Sequence, residues 1–278
     1  MEKKVYIPEG VVKRGIRIYF DMTKELIEAR ELILRLFIRD FLAKYKQALL
    51  GIAWAIIMPV VVIGAFIFMN RSGILNIGDV KVPYPVFAIL GLTIWQLFAT
   101  GLTNATNSII NAGSMVIKIN FPRESLVISS MAHAFFDFLI RIVIVAIVFL
   151  FYKVVPSWKT IFFPFTLIPL LLLTVGIGFI LSLLNCIARD TTNVVSLITT
   201  FLLFITPVLY QVPKSGIFAT FNRYNILAPL INAPREIILY GKISDVKSFL
   251  ISSFISLFLF LFFWRIFHIA EHKMAEIV

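Results

Sequence analysis

From Thr160 to Ile187 the chain runs for 28 residues without a charged side chain. As a helix, that run is about 40 Å long, more than the hydrocarbon thickness of a bilayer. Such a segment belongs in lipid. Five more apolar stretches of similar character follow the same rule, and the six spans read as about 48–69, 85–110, 126–152, 160–187, 192–210 and 248–268. The chain is 60% apolar with a mean hydropathy of +0.95, whereas soluble domains sit near 45–50% apolar. The expected fold class is an all-α membrane protein with six transmembrane helices. Pro59, Pro169 and Pro207 fall inside spans, where neighbouring helices can re-satisfy the freed backbone groups.

The stretch ELILRLFIRDFLAKYKQALLGIAWAIIMP, residues 31–59, joins two solvents. Leu32, Leu36, Ile38 and Phe41 offer an apolar stripe, while Arg35, Arg39, Lys44 and Lys46 stay in water or lipid headgroups. That pattern suits a helix lying in the membrane interface. The chain therefore divides into a cytoplasmic N-terminal segment, 1–47, carrying this interfacial helix, and a transmembrane domain, 48–278. Its first 47 residues are charged throughout, so the expectation is that the first span serves as the insertion signal.

Net charge is +11. Basic residues without interleaved exposed aromatics do not make a nucleic-acid groove, and here they fall asymmetrically about the spans. Sixteen Lys/Arg lie on the side of both termini against nine on the other, with Arg141 inside a span. The positive-inside rule places both termini in the cytoplasm. Segment 211–247 holds five Lys/Arg yet is partly apolar. It reads as two short amphipathic helices broken at Pro229 and Pro234, dipping back into the outer leaflet between spans five and six. As two further spans, the pieces would be too short and too polar.

The single cysteine, Cys186, excludes an intramolecular disulfide and a thiolate metal cluster. No G-x-x-x-x-G-K-[ST] and no H-E-x-x-H occurs, and His133, His268 and His272 are scattered. Neither a metal site nor catalytic residues are expected. Asp137 and Arg141 stand four apart in the third span, on one helical face. They read as a structural ion pair in preference to a proton relay, since no second intramembrane carboxylate continues the path. Gln96, Thr100, Asn104, Asn107 and Asn111 line one face of the second span; Thr192, Ser196, Thr199, Thr206 and Tyr210 form a similar row on the fifth. Two readings stand open: a conduit for a hydroxyl-rich substrate, or interhelical glue. The serines of the sixth span, Ser248, Ser252, Ser253 and Ser256, read as packing residues. In the loop 111–125, Ser114 suits a turn or cap, and the next residues suit a turn or two of helix bearing Lys118, a knob for a partner protein.

RDFLAKYKQALLGIAWAIIMP resembles the N-terminal signature of ABC-2 type permeases that export polysaccharides, on Arg39, Asp40, Tyr45, Leu50, Gly51, Trp54 and Pro59. FPRE at 121–124, ARD at 188–190, TPVLY at 206–210 and NILAPLINAPREIIL at 225–239 follow in order, with Ala228 standing before Pro229 where the family usually has Asn. The ordered set covers residues 31–268 and is similar to the transmembrane subunits of O-antigen and teichoic-acid exporters. The resemblance implies six spans, an interfacial helix and two re-entrant outer helices. It also implies a homodimer bound to two copies of an ABC ATPase, with ATP and Mg held on that partner and no cofactor on this chain. By resemblance, residues about 24–46 and 112–121 meet the ATPase, which makes Arg35, Arg39, Lys44, Lys46, Ser114 and Lys118 candidate coupling residues. Spans one and five frame the polymer path. The candidate path residues are Trp54, Gln96, Thr100, Asn104, Asn107, Ser196, Thr199, Phe201, Phe204, Thr206 and Tyr210. The expected function is outward movement of a lipid-linked glycan across the bacterial plasma (inner) membrane. The rivals are an ABC-2 permease for a drug or lipid, a secondary transporter and a membrane enzyme.

Overall fold

The computed structural model describes residues 17–46, 81–113, 115–119, 121–212 and 216–274, with isolated positions between 57 and 72. The first span, Trp54 and Ser114 lie outside the described residues. Every element among the described residues is helical. In chain order they are α1 (Arg17–Glu28), α2 (Arg30–Lys46), α3 (Tyr84–Ala112), α4 (Met115–Lys118), α5 (Glu124–Phe151), a 3-10 turn (Trp158–Phe162), α6 (Phe163–Ile187), α7 (Thr191–Ile205), α8 (Ile217–Tyr224), α9 (Leu227–Tyr240) and α10 (Val246–Met274). Among the described residues, four segments are long and apolar enough to cross a membrane: Tyr84–Ala112, Glu124–Phe151, Trp158–Ile187 and Val246–Glu271. This is a membrane protein.

The helix ends follow local chemistry. Pro85 sits in the first turn of α3, where its missing N–H costs nothing. Glu124 opens α5 with a negative charge at the positive end of the helix dipole. Asp245 accepts a hydrogen bond from the Ser248 amide at 2.9 Å and caps α10. The Ser248 side chain, and after it this amide, hold the Asp245 carboxyl below the usual carboxylate range. α7 stops at Ile205, earlier than the expected end at 210, because Pro207 has no N–H to continue the ladder.

Segment 211–247 does hold two short helices, but Pro229 and Pro234 do not break them. Both lie within α9. Pro229 is its third residue, where the amide is unpaired in any helix. The separation falls at Asn225 instead, whose side-chain oxygen accepts from the Leu227 amide at 3.0 Å and starts α9 afresh.

The spans stand in the order α5, α3, α6, α10, with α7 against α3 and α6, and α9 lodged against α3, α6 and α10. In lipid, helices gain little hydrophobic energy from association, so close approach and dispersion must hold them. α6 meets α10 at Gly176, where an added Cβ would stand 2.7 Å from the Phe260 Cα. Beside that approach, Phe179 stacks on Trp264 at 6.5 Å and packs on Phe267 at 4.9 Å. Because the obstacle is backbone, Gly176→Ala is expected to cost about 1–3 kcal/mol, seen as a lowered thermal midpoint of the detergent-solubilised protein. An unchanged midpoint would mean that the two helices are not closely packed there.

Candidate functional site

Among the described spans α3 is the most enclosed, yet it opens along one line. Beyond its first two residues, its unburied positions are Gln96, Ala99, Thr100, Thr103, Asn104, Asn107, Ile110 and Asn111, which recur at helical spacing. The open face of the central helix is therefore its polar stripe. Thr100 donates to Gln96 at 3.4 Å within it. α7 runs beside this helix and presents Ser196, Leu197, Thr200, Phe201 and Phe204 outward, the two phenylalanines 68% and 58% exposed. Polar half-open positions and an exposed aromatic row thus occur on adjacent helices.

The remaining polar residues are engaged in packing. Asn185 of α6 donates to the Thr106 carbonyl at 3.0 Å and to Asn107 Oδ1 at 3.2 Å. Thr192 donates to the same Asn107 oxygen at 2.7 Å. This knot ties α3, α6 and the start of α7. Thr199 is buried and bonds back to the Val195 carbonyl at 2.8 Å. Thr206 is buried, and its hydroxyl accepts from Asn225 at 3.0 Å. The half-buried Tyr210 donates to the Ile205 carbonyl at 2.6 Å. Within the two stripes, then, Gln96, Thr100, Asn104 and Ser196 keep open faces, Asn107, Thr192 and Thr206 fasten one segment to another, and Thr199 is buried on its own helix.

Where α7 ends, Arg235 of α9 is 4% exposed and gives its guanidinium to the carbonyls of Val208 at 2.7 Å and Pro207 at 3.1 Å, and to Asn232 Oδ1. The Phe87 ring lies 3.8 Å from its central carbon. Tyr84 donates to the Leu209 carbonyl at 3.0 Å. These groups satisfy the carbonyls released when the helix unwinds. Gly91 makes room for them: a Cβ there would sit 2.3 Å from the Val208 oxygen.

At the opposite end of α3, α1 and α2 form one kinked arm. The Ala29 amide donates to Glu25 and the Ile33 amide to Ala29 across the kink. Phe37 of α2 stacks on His133 of α5 at 4.6 Å, and Phe41 meets Phe136 edge-on at 4.9 Å. Leu36 is buried, while Leu34, Ile38 and Leu42 are exposed. Arg39 pairs with Asp40 at 2.6 Å and donates to Met115 Sδ of α4 at 3.8 Å. The exposed Arg35 pairs with Glu31 at 2.9 Å. Lys44 and Lys46 fall on the last turn of α2, and Lys118 is exposed on α4. Two of the elements expected to meet a partner therefore touch each other. On α5, Asp137 is buried and Arg141 half-buried, one turn apart.

Beneath the arm, His268 Nδ1 of α10 lies 2.7 Å from Glu124 Oε1 of α5. Glu271 accepts from the Arg123 amide at 3.1 Å, and the Glu271 carbonyl accepts from the Arg123 guanidinium. Glu124, His268 and Glu271 bring three groups of metal-ligand type within 4.8 Å, engaged with one another and with Arg123.

Residues 31–239 match the sequence pattern of the ABC-2 type transporter family. The chain belongs to the ABC-2 type transporter family. It is 28% identical over 245 residues to an O-antigen export system permease protein RfbA of Klebsiella pneumoniae, covering 86% of this chain and 92% of that protein. It is 30% identical over 248 residues to a second RfbA from K. pneumoniae, with the same coverage. The match to RfbA of Myxococcus xanthus is 27% over 193 residues, 68% of this chain and 72% of that one.

Two groups in this ABC-2 transporter escape sequence reasoning. Arg235 carries a local signal, since an arginine in the apolar run 226–240 must find buried partners. The Glu124–His268 contact carries none, because its members lie 144 residues apart.

Proposed function

We propose that this chain is the transmembrane permease subunit of an ATP-driven exporter. Its cargo is a lipid-linked polysaccharide of O-antigen or teichoic-acid type, moved outward across the bacterial inner membrane. The observation that carries this reading is the central helix α3, whose open face is mostly a row of amides and hydroxyls. Such groups exchange hydrogen bonds with sugar hydroxyls without holding any one sugar tightly. The exposed Phe201 and Phe204 add stacking surface. The names of the relatives support the same cargo class.

In this reading two copies of the chain enclose the path, with two copies of a separate ABC ATPase that hold ATP and Mg. Six spans leave both termini in the cytoplasm, and α8 and α9 enter the outer leaflet as re-entrant helices. α2 and α4 receive the ATPase stroke, with Arg35, Arg39, Lys44, Lys46, Ser114 and Lys118 on the receiving side, and Asp137 pairs with Arg141 inside α5. Lipid-linked polymer enters from the inner leaflet and passes along Gln96, Thr100, Asn104 and Ser196, with Trp54 contributed by the first span.

Deletion of the gene is expected to leave lipid-linked glycan on the cytoplasmic leaflet and to strip the polymer from the cell surface. Unchanged surface glycan, with no lipid-linked sugar accumulating inside, would count decisively against the proposal. Asn104→Leu is expected to lower export about tenfold, the order of one lost polar contact of 1.4 kcal/mol, with membrane levels of protein unaltered. Full export by this variant would remove the α3 stripe from the path.

A further inference from the structure

The arm formed by α1 and α2 touches the bundle in two places. α2 packs on α5 through Phe37 and Phe41. α1 packs on α10, where the Tyr19 hydroxyl donates to the Leu261 carbonyl at 3.3 Å and its ring meets Trp264 edge-on at 6.4 Å. α5 and α10 are not neighbours along the row of spans, since α3 and α6 stand between them. A push on the arm would therefore spread them unless something joined their ends.

Something does. Glu124 begins α5 and is 1% exposed; His268 and Glu271 sit near the end of α10, Glu271 4% exposed. His268 Nδ1 and Glu124 Oε1 are 2.7 Å apart, and Glu271 lies 3.9 Å from the same imidazole while accepting the Arg123 amide. The Arg123 guanidinium closes the ring on the Glu271 carbonyl. The acidic Asp21 and Glu25 of α1 act on His268 from the arm. Burying so many charged groups is expensive, and simple adhesion between helices does not need it. What a buried charge cluster bonded from one helix to another supplies is one fixed geometry.

We infer that Arg123, Glu124, His268 and Glu271 are positioning residues that latch the starting end of α5 to the finishing end of α10, closing a frame with α1 and α2 so that both spans follow the arm as one body. This rests on the proposed ATP-driven export, because the arm is taken there as the receiver of the ATPase stroke.

The test uses the complete transporter with its ATPase in lipid nanodiscs. Spin labels are placed at the exposed Phe135 of α5 and Ile269 of α10, on a Cys186→Ala background. Their separation is read with and without a non-hydrolysable ATP analogue. With doubly labelled chain diluted into unlabelled chain, so that one protomer in a dimer carries both labels, the expected wild-type result is one narrow distance in both states. In Glu124→Gln and His268→Ala the distance broadens when nucleotide binds. The same variants are expected to keep most of their ATP hydrolysis, measured below their lowered thermal midpoint, while export falls about tenfold, the scale of one lost coupling. Exchanging the partners, Glu124→His with His268→Glu, restores part of that export.

A wild-type separation that changes by about 5 Å, one helical turn, on nucleotide binding overturns the latch. So does loss of ATP hydrolysis in step with export, or full export by the variants. If a variant fails to fold, the wild-type distance still decides. A wild-type chain that binds no ATPase sinks the functional proposal itself, which separates the two failures.

Discussion

Arg235→Met is expected to abolish export and to lower the yield of folded protein sharply. Methionine fills much of the arginine volume but donates nothing. The carbonyls of Pro207 and Val208 would then be stranded, at about 1–3 kcal/mol each. The contact with the Phe87 face would go as well. A loss of about 3–5 kcal/mol is a large share of a stability that totals about 5–15. Arg235→Lys is expected to rescue little, because one ammonium cannot span two carbonyls and Asn232 as the planar fork does. The check is surface glycan together with the thermal midpoint of the purified protein. Normal values for Arg235→Met would mean that water can take over both carbonyls.

Arg39→Glu has the other large effect, and it falls on function with the fold intact. The side chain is half exposed, so little packing is lost. The replacement sets a carboxylate beside Asp40 and withdraws the donor from Met115 on α4. The lost contact would loosen α2 from α4, and the new carboxylate would reverse the charge that this edge of α2 presents. Export should fall about 10–100-fold while the assembled complex still purifies with its ATPase. Lys118→Glu, on the exposed side of α4, should act in the same direction. Normal export in both variants would remove the arm from the coupling route.

Much of this architecture is legible in one dimension because lipid imposes a long-range rule on local sequence. The spans read as 85–110 and 126–152 come out as Tyr84–Ala112 and Glu124–Phe151. The proline readings fare worse. A proline near the start of a helix breaks nothing, and only the Asn225 side chain decides where α9 begins. The polar stripes are legible as stripes, but their division of labour is not. Asn107 becomes a fastener because Asn185 and Thr192 reach it from other helices, and no periodicity reports that meeting. Cys186 is legible only as a lone thiol, and its half-buried place near the end of α6 follows from packing.

α2 departs from the usual amphipathic design. Its apolar side chains lie both against the protein, as Leu36, Phe37 and Phe41 do, and away from it, as Leu34, Ile38 and Leu42 do, with the charged Arg35, Arg39 and Asp40 interspersed among them. A helix with a single greasy side finds its roll angle from the bilayer, like a float with a keel. α2 has no such keel. The rings of His133 and Phe136 choose its rotation instead. Torque applied to this helix is therefore delivered to α5.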